Sequence, residues 1–154
     1  FINFFVQNSK TIDCTFSKDE NLDSAIERIQ RESEISARQG LTQLVLSDKN
    51  ISNERLPIPM LLSVGAVNTH LIKKKLRGYV SINAQTGEAL DTHSFATLIG
   101  VGATTVNPYL ALDSLYQRFE KKLFGKYGYD ECIERYVQSV NYGSEERRVG
   151  KECR

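Results

Sequence analysis

The sequence predicts an α/β protein: parallel βα repeats forming a partial or degenerate barrel-like unit wrapped by helices. Three observations predict it. Short apolar runs alternate with longer amphipathic stretches along most of the chain. The stretches between those runs are long enough for helical crossovers, which parallel strands require. Polar residues gather where each run ends, the place where parallel α/β units carry their chemistry.

The elements follow in order. "TIDCTF", Thr11 to Phe16, reads as a strand leaving into the polar turn "SKDE". A helix comes next, with Asp19 or Asn21 as its cap and an inward stripe of Leu22, Ile26, Ile29, Ser33 and Ala37. Glu27, Arg28, Arg31, Glu32 and Glu34 face water on the other side, and Gly40 ends the helix. "LTQLVLS", Leu41 to Ser47, is a compact apolar run, as expected of a strand covered on both faces. "DKNISNERLPIP" reads as a loop, and Pro59 suits the first turn of a helix over roughly Met60 to Leu76. Its inward residues are expected to be Leu61, Val64, Ala66, Val67, Leu71 and Ile72, and the run from Lys73 to Arg77 opposes the negative end of its dipole. Tyr79 to Gln85 is a strand, Thr86-Gly87 a turn, and a helix covers about Asp91 to Ile99. "ATTVN" is a short strand to Asn107, Pro108 opens a helix through Phe124, and a last helix runs from Asp130 to about Asn141. Four such units are too few to close an eight-stranded barrel.

Gly100 and Gly102, in "LIGVGATTVNPYLAL", make a Gly-x-Gly that tests for a phosphate cradle. Such a cradle leaves a strand and enters a helix, so that helix N-terminal amides meet the phosphate. This pair does the reverse, leaving a helix for a strand, and is a plain turn. His70 and His93 have no partner at metal-ligand spacing and read as structural histidines.

Composition narrows the functional classes. Of 154 residues, 40% are hydrophobic and 25% charged, which suits one domain with a real core. No apolar run is long enough to cross a bilayer. The only methionine is Met60, so the chain is expected to start within a longer protein or to have been processed. "SEERRVGKECR", residues 144–154, is dense in charge and lacks periodicity. It resembles the translation of a short-read sequencing adapter joined to a truncated reading frame, and is set apart from a domain spanning 1–143 as a non-native or disordered tail. Without it, basic and acidic residues are equal in number, which leaves no excess charge for nucleic acid or an anionic membrane. Cys14 and Cys132 are distant and show no Cys-x-x-Cys spacing, which suits reduced thiols in a cytosol-like compartment.

The strand ends supply the candidate site: Thr15, Ser47 with Asp48, Gln85 with Glu88, and Asn107. They contain no nucleophile–base pair; Asp48 and Glu88 are the one couple suited to acid–base work, if close in space.

Taken together, these segments resemble the central domain of the glutamate synthase large (α) subunit, from about residue 10 to residue 143. The specific pieces are Leu46-Ser47-Asp48 with Asn50, Pro57-Ile58-Pro59 leading into Leu61-Leu62, the Thr86-Gly87-Glu88 turn, His93, and Gly100 through Leu110. The chain departs from the family's usual arginine at Lys49, its histidines at Asn68, Thr69 and Ser94, and its aromatic residue at Val101, as a divergent member would. The resemblance implies no catalytic, cofactor-binding or metal-binding residue within this stretch. FMN and an iron–sulfur cluster would sit in a later domain, and a cysteine amidotransferase domain would precede. The implied partners are those amidotransferase and FMN-binding domains of the same chain, with a small subunit or ferredoxin for the full enzyme, and the implied compartment is cytoplasm or plastid. The implied role is to join the two catalytic domains and shape an ammonia tunnel, with Ser47, Asp48, Gln85, Glu88 and Asn107 as candidate tunnel or interface residues. The rival reading is a free-standing barrel-like enzyme acting on a phosphorylated or flavin-type ligand. That enzyme would need a strand-to-helix phosphate loop.

Overall fold

A computed structural model describes residues 7–149, with side chains described to residue 143. The elements are β1 (Ser9–Asp13), β2 (Thr15–Ser17), α1 (Leu22–Arg38), β3 (Gln43–Ser47), β4 (Arg55–Pro57), α2 (Met60–Lys73), a 3-10 turn (Arg77–Tyr79), β5 (Ser81–Gln85), α3 (Thr92–Gly100), β6 (Thr105–Asn107), α4 (Tyr109–Glu120) and α5 (Tyr129–Val149). Strands β1, β3, β5 and β6 form one sheet in that order, and every pairing is parallel. The fold is thus the predicted parallel βα arrangement, an open four-stranded sheet and not a closed barrel.

Consecutive strands are neighbours, so each crossover steps in the same direction. Right-handed crossovers repeated that way put their helices on one face of the sheet. Burial agrees. Ile12, Leu44, Leu46, Ile82 and Ala84 point to that face and are buried, with Ala25 and Ile29 of α1 and Val64, Val67 and Leu71 of α2 in the same core. The alternate residues Thr11, Val45, Asn83 and Thr105 are exposed or half-buried. The expectation that Leu41–Ser47 is covered on both faces is therefore corrected. Its apolar run contains only Leu44 and Leu46 as core residues, with Val45 on the opposite, uncovered face.

Several local expectations are refined. Asn21 caps α1 by accepting from the Asp23 N–H at 3.1 Å. In α2 the buried stripe is Met60, Ser63, Val64, Val67 and Leu71, at spacings of three, one, three and four. Leu61 and Ile72 instead lie outward, because starting the stripe at Met60 turns them away from the sheet. The strand predicted over Thr11 to Phe16 breaks at Cys14, and β2 leaves the sheet to pair antiparallel with β4, inside what reads as a loop. Asp13 makes the corner: its Oδ1 accepts from the Thr15 N–H at 2.9 Å and the Thr15 hydroxyl at 2.7 Å. Helix α5 continues past Gly143 to Val149, beyond its expected end, and residues 150–154 of the expected tail, Cys153 among them, lie outside the described residues.

The glycine pair is the turn the sequence predicts. Gly100 closes α3, and Gly102 has φ +123 in the bend before β6. A Cβ on Gly102 would lie 2.4 Å from Asn68 Cγ, so the position excludes larger residues on both counts. Arg77 seals this end, donating from Nε to Asn68 Oδ1 at 2.7 Å and from Nη2 to the Gly102 carbonyl at 2.9 Å.

Candidate functional site

Parallel register brings Ser47, Gln85 and Asn107 of the predicted strand-end residues together; Thr15 lies off this sheet in β2, and Asp13 holds the β1 place in the row. Asp13, Ser47, Gln85 and Asn107 occupy one row across the sheet, each the register partner of the next. Ser47 donates to Gln85 Oε1 at 2.8 Å. Asp48 and Glu88 follow in the loops leaving β3 and β5.

Asp48 is 1% exposed, and its carboxylate is committed to structure. Oδ2 accepts from the buried Thr86 hydroxyl at 2.6 Å, and the Gly87 N–H is 3.2 Å from both oxygens. Thr86 in turn accepts from the Glu88 N–H at 3.0 Å. The carboxylate thus clasps the β5 turn to the β3 loop. Tyr109 closes over this clasp; burial, together with Asp48, Asp113 and Glu88, pushes its phenol up to about 12. Lys49 Nζ lies 5.0 Å from the Tyr109 ring centroid, in cation–π range.

Glu88 has a different task. Its Oε2 accepts from the Met60 N–H at 3.0 Å, supplying the cap that Pro59 cannot provide at the start of α2. A carboxylate there also complements the positive end of the helix. Of the couple considered for acid–base work, one member is a buried clasp and the other a helix cap.

Sequence reasoning missed a second cluster on the same rim. Arg55 donates from Nε to the Thr15 hydroxyl at 2.8 Å and pairs through Nη2 with Asp13 Oδ2 at 3.1 Å. Arg28 donates to the Asp13 and Thr15 carbonyls at 3.0 and 2.7 Å, and Asn50 to Asp13 Oδ2 at 3.1 Å. Burial pushes the Asp13 carboxyl up, but hydrogen bonds from Thr15 and Asn50 and the Arg55 charge outweigh it and leave it lowered. In the sequence, Thr15 as a strand end and Asn50 beside Ser47-Asp48 mark part of this cluster, whereas Arg28 reads as a water-facing helix charge and Arg55 as part of a loop.

The histidines stand apart from the row. His70 Nε2 lies 2.7 Å from Glu34 Oε2 and ties α2 to α1. Lys74, from the basic run, reaches the same oxygen at 3.3 Å, and Arg38 Nη2 lies 2.8 Å from Oε1. These donors, Arg38 first and then His70 and Lys74, outweigh desolvation and hold the Glu34 carboxyl at about 2. His93, at the start of α3, shares a shallow pocket with Glu88, Ser94 and Thr97.

The residues present do not fit the cofactors the resemblance attaches to a later domain. Among the described residues no group of three or more His, Cys, Asp or Glu side chains could hold a metal. Cys14 and Cys132 are buried, and burial pushes the Cys14 thiol up to about 12, against a thiolate ligand. The start of α2, which would suit a phosphate, already carries the Glu88 carboxylate. No helix among the described residues is long and apolar enough to cross a membrane.

The structure is a one-sided parallel βα domain with a polar strand-end rim, whose carboxylates clasp loops and cap a helix. The comparisons give it a family: residues 4–146 match the glutamate synthase central domain, and the chain belongs to that family. It is 44% identical over 135 residues to the glutamate synthase [NADPH] large chain of Azospirillum brasilense, covering 86% of this chain and 9% of that protein. Identity to the glutamate synthase [NADPH] large chain of Bacillus subtilis (strain 168) is 39%, over 88% of this chain and 9% of that one. A chloroplastic ferredoxin-dependent glutamate synthase of Oryza sativa subsp. japonica is 46% identical over 64% of this chain and 6% of its own length. The chain therefore spans under a tenth of these relatives.

Proposed function

We propose that the chain works as a connecting domain of a glutamate synthase, the oxidoreductase that converts glutamine and 2-oxoglutarate to two molecules of glutamate. The family match over residues 4–146 carries this reading. The full protein would hold an amidotransferase domain before this stretch and an FMN domain with an iron–sulfur cluster after it. The electron donor, whether a reduced nicotinamide or ferredoxin, is then a property of other parts. Within that protein this domain is not catalytic. It joins the two reacting domains and helps shape the path for ammonia.

The mechanism is geometric. Ammonia released into bulk water would be protonated and diluted, whereas an enclosed path delivers it at high effective concentration. The rim residues Ser47, Gln85 and Asn107 are proposed to face that path or the domain beside it, while Asp48 and Glu88 hold the loops in place. The boundary at residue 143, the foreign origin of 144–154, and a cytoplasmic or plastid compartment belong to the same proposal.

The test uses the isolated chain, assayed for glutaminase and synthase turnover and titrated with FMN. No turnover and no flavin binding are expected. Turnover would overturn the non-catalytic reading, and tight FMN binding would favour a free-standing flavin-type enzyme.

A further inference from the structure

Helices α4 and α5 form a hairpin that stands apart from the core. The buried cluster uniting the sheet with α1, α2 and α3 ends at Ala103 and takes nothing from either helix. Among the described residues, the hairpin's buried side chains are Ala111 and Cys132 alone. It coheres instead through its own rings. Tyr116 and Phe119 of α4 lie 5.5 and 5.7 Å from Tyr129 of α5, centroid to centroid. It meets the body where the Phe95 and Tyr136 rings stand edge to face, 6.5 Å apart.

Under the hairpin, on the helix-covered side of the sheet, lies a pocket of about 350 Å³. Phe95 of α3 and Val106 of β6 line one side, and Leu112 of α4 with Ile133 and Val140 of α5 line the other. That volume falls within the range of small-molecule sites, which combine an apolar lining with a few placed polar groups. Here the polar group is Tyr136. Its hydroxyl is buried and has no hydrogen-bond partner among the described residues. A buried hydroxyl left unbonded costs stability, so an acceptor in the pocket recovers what the fold leaves unmade. Charge narrows the choice of occupant. Burial, and then the Asp91 carboxylate, push the Tyr136 phenol up, so it stays protonated and can donate. The same carboxylate repels anions, and the lining holds no charged side chain to pair with a buried cation. The Phe95 and Tyr136 rings favour edge packing against a further ring.

We propose that this pocket binds a small neutral aromatic molecule bearing one hydrogen-bond acceptor, an aryl ketone being the simplest, with the Tyr136 hydroxyl donating to the acceptor. The site lies under the helices, and it is independent of the function proposed above.

The experiment titrates the 154-residue chain, and full-length glutamate synthase carrying this domain, with para-fluoroacetophenone and with para-fluoroethylbenzene, read by fluorine NMR. The two probes are close in shape, and only the ketone accepts a hydrogen bond. Both proteins are expected to bind the ketone with a dissociation constant of about 1 mM or tighter. Tyr136→Phe should lower affinity for the ketone relative to the ethyl probe by about fivefold, the worth of one neutral hydrogen bond. Val137→Trp, which fills the pocket, should abolish binding of both probes. A normal circular dichroism spectrum and melting temperature qualify each variant, and Leu112→Trp fills the pocket from α4 if Val137→Trp misfolds. Absence of binding overturns the proposal. Binding that survives in the filled variant, or a relative affinity unmoved by Tyr136→Phe, places the probes elsewhere and overturns it too. Binding to the chain but not to the full-length protein shows that another domain covers the pocket. A dimer of the chain that excludes the probes, seen by sedimentation velocity, shows that a second copy does. Either result also overturns the proposal.

Discussion

Replacing Asp48 by alanine tests whether the buried clasp organises the rim. The carboxylate accepts from Thr86 Oγ1 at 2.6 Å and from the Gly87 N–H at 3.2 Å, with Thr86 fully buried. A hydrogen bond to a charged group contributes about 1.5–3 kcal/mol, and stranding a buried donor costs about 1–3 kcal/mol. Relief of the desolvated charge offsets part of the loss. The net expectation is about 3 kcal/mol, which in a domain of this size lowers the melting temperature by roughly 6–12 °C. Unfolding of the purified chain followed by circular dichroism measures it. Thr86→Val and the double variant complete a cycle, in which a coupling of about 1 kcal/mol or more is expected because the two groups share one bond. An Asp48→Ala loss below about 0.5 kcal/mol, the scatter of ordinary surface substitutions, would refute the reasoning. Full additivity with Thr86→Val would refute it too.

Other positions give sharper yes-or-no outcomes. Gly102→Ala combines φ +123 with a Cβ 2.4 Å from Asn68, and is expected to cost about 2 kcal/mol or more in denaturant unfolding. Glu88→Ala removes the side chain that caps α2 and is expected to cost about 1 kcal/mol, with Glu88→Gln recovering part of it. Glu34 predicts a pH dependence. Its folded carboxyl is held at about 2, below the usual 4.5, so the unfolded chain binds that proton first. Its contribution is present above about pH 4.5 and is lost as pH falls toward 2. Stability measured across that window should fall less steeply in Glu34→Gln than in the parent chain.

Much of this molecule is legible in its residues because its βα rhythm is local. Alternation of apolar runs with amphipathic stretches, the Asn21 cap and the direction of the Gly100–Gly102 turn all depend on near neighbours, and they match the structure. The common row of Ser47, Gln85 and Asn107 follows from parallel pairing alone. What the residues conceal depends on distant partners. In the β2–β4 ribbon Arg55 reaches Thr15 across 40 positions, and nothing local marks "RLP" as a strand. Glu88 looks like a free carboxylate until Met60, 28 positions earlier, is found beneath it. The bare face was hidden for another reason. Leu44, Val45 and Leu46 form a continuous apolar run that suggests two covered faces, although Asn83 and Thr105 beside Val45 are polar.

The most direct test of the central claim is the stoichiometry of full-length glutamate synthase with Gln85→Ala and Asn107→Ala combined in this domain. If the rim shapes the ammonia path, more than one glutamine should be hydrolysed for every two glutamates formed, and added ammonium should restore glutamate synthesis. An unchanged ratio in a correctly folded variant would contradict the claim and leave the domain a scaffold.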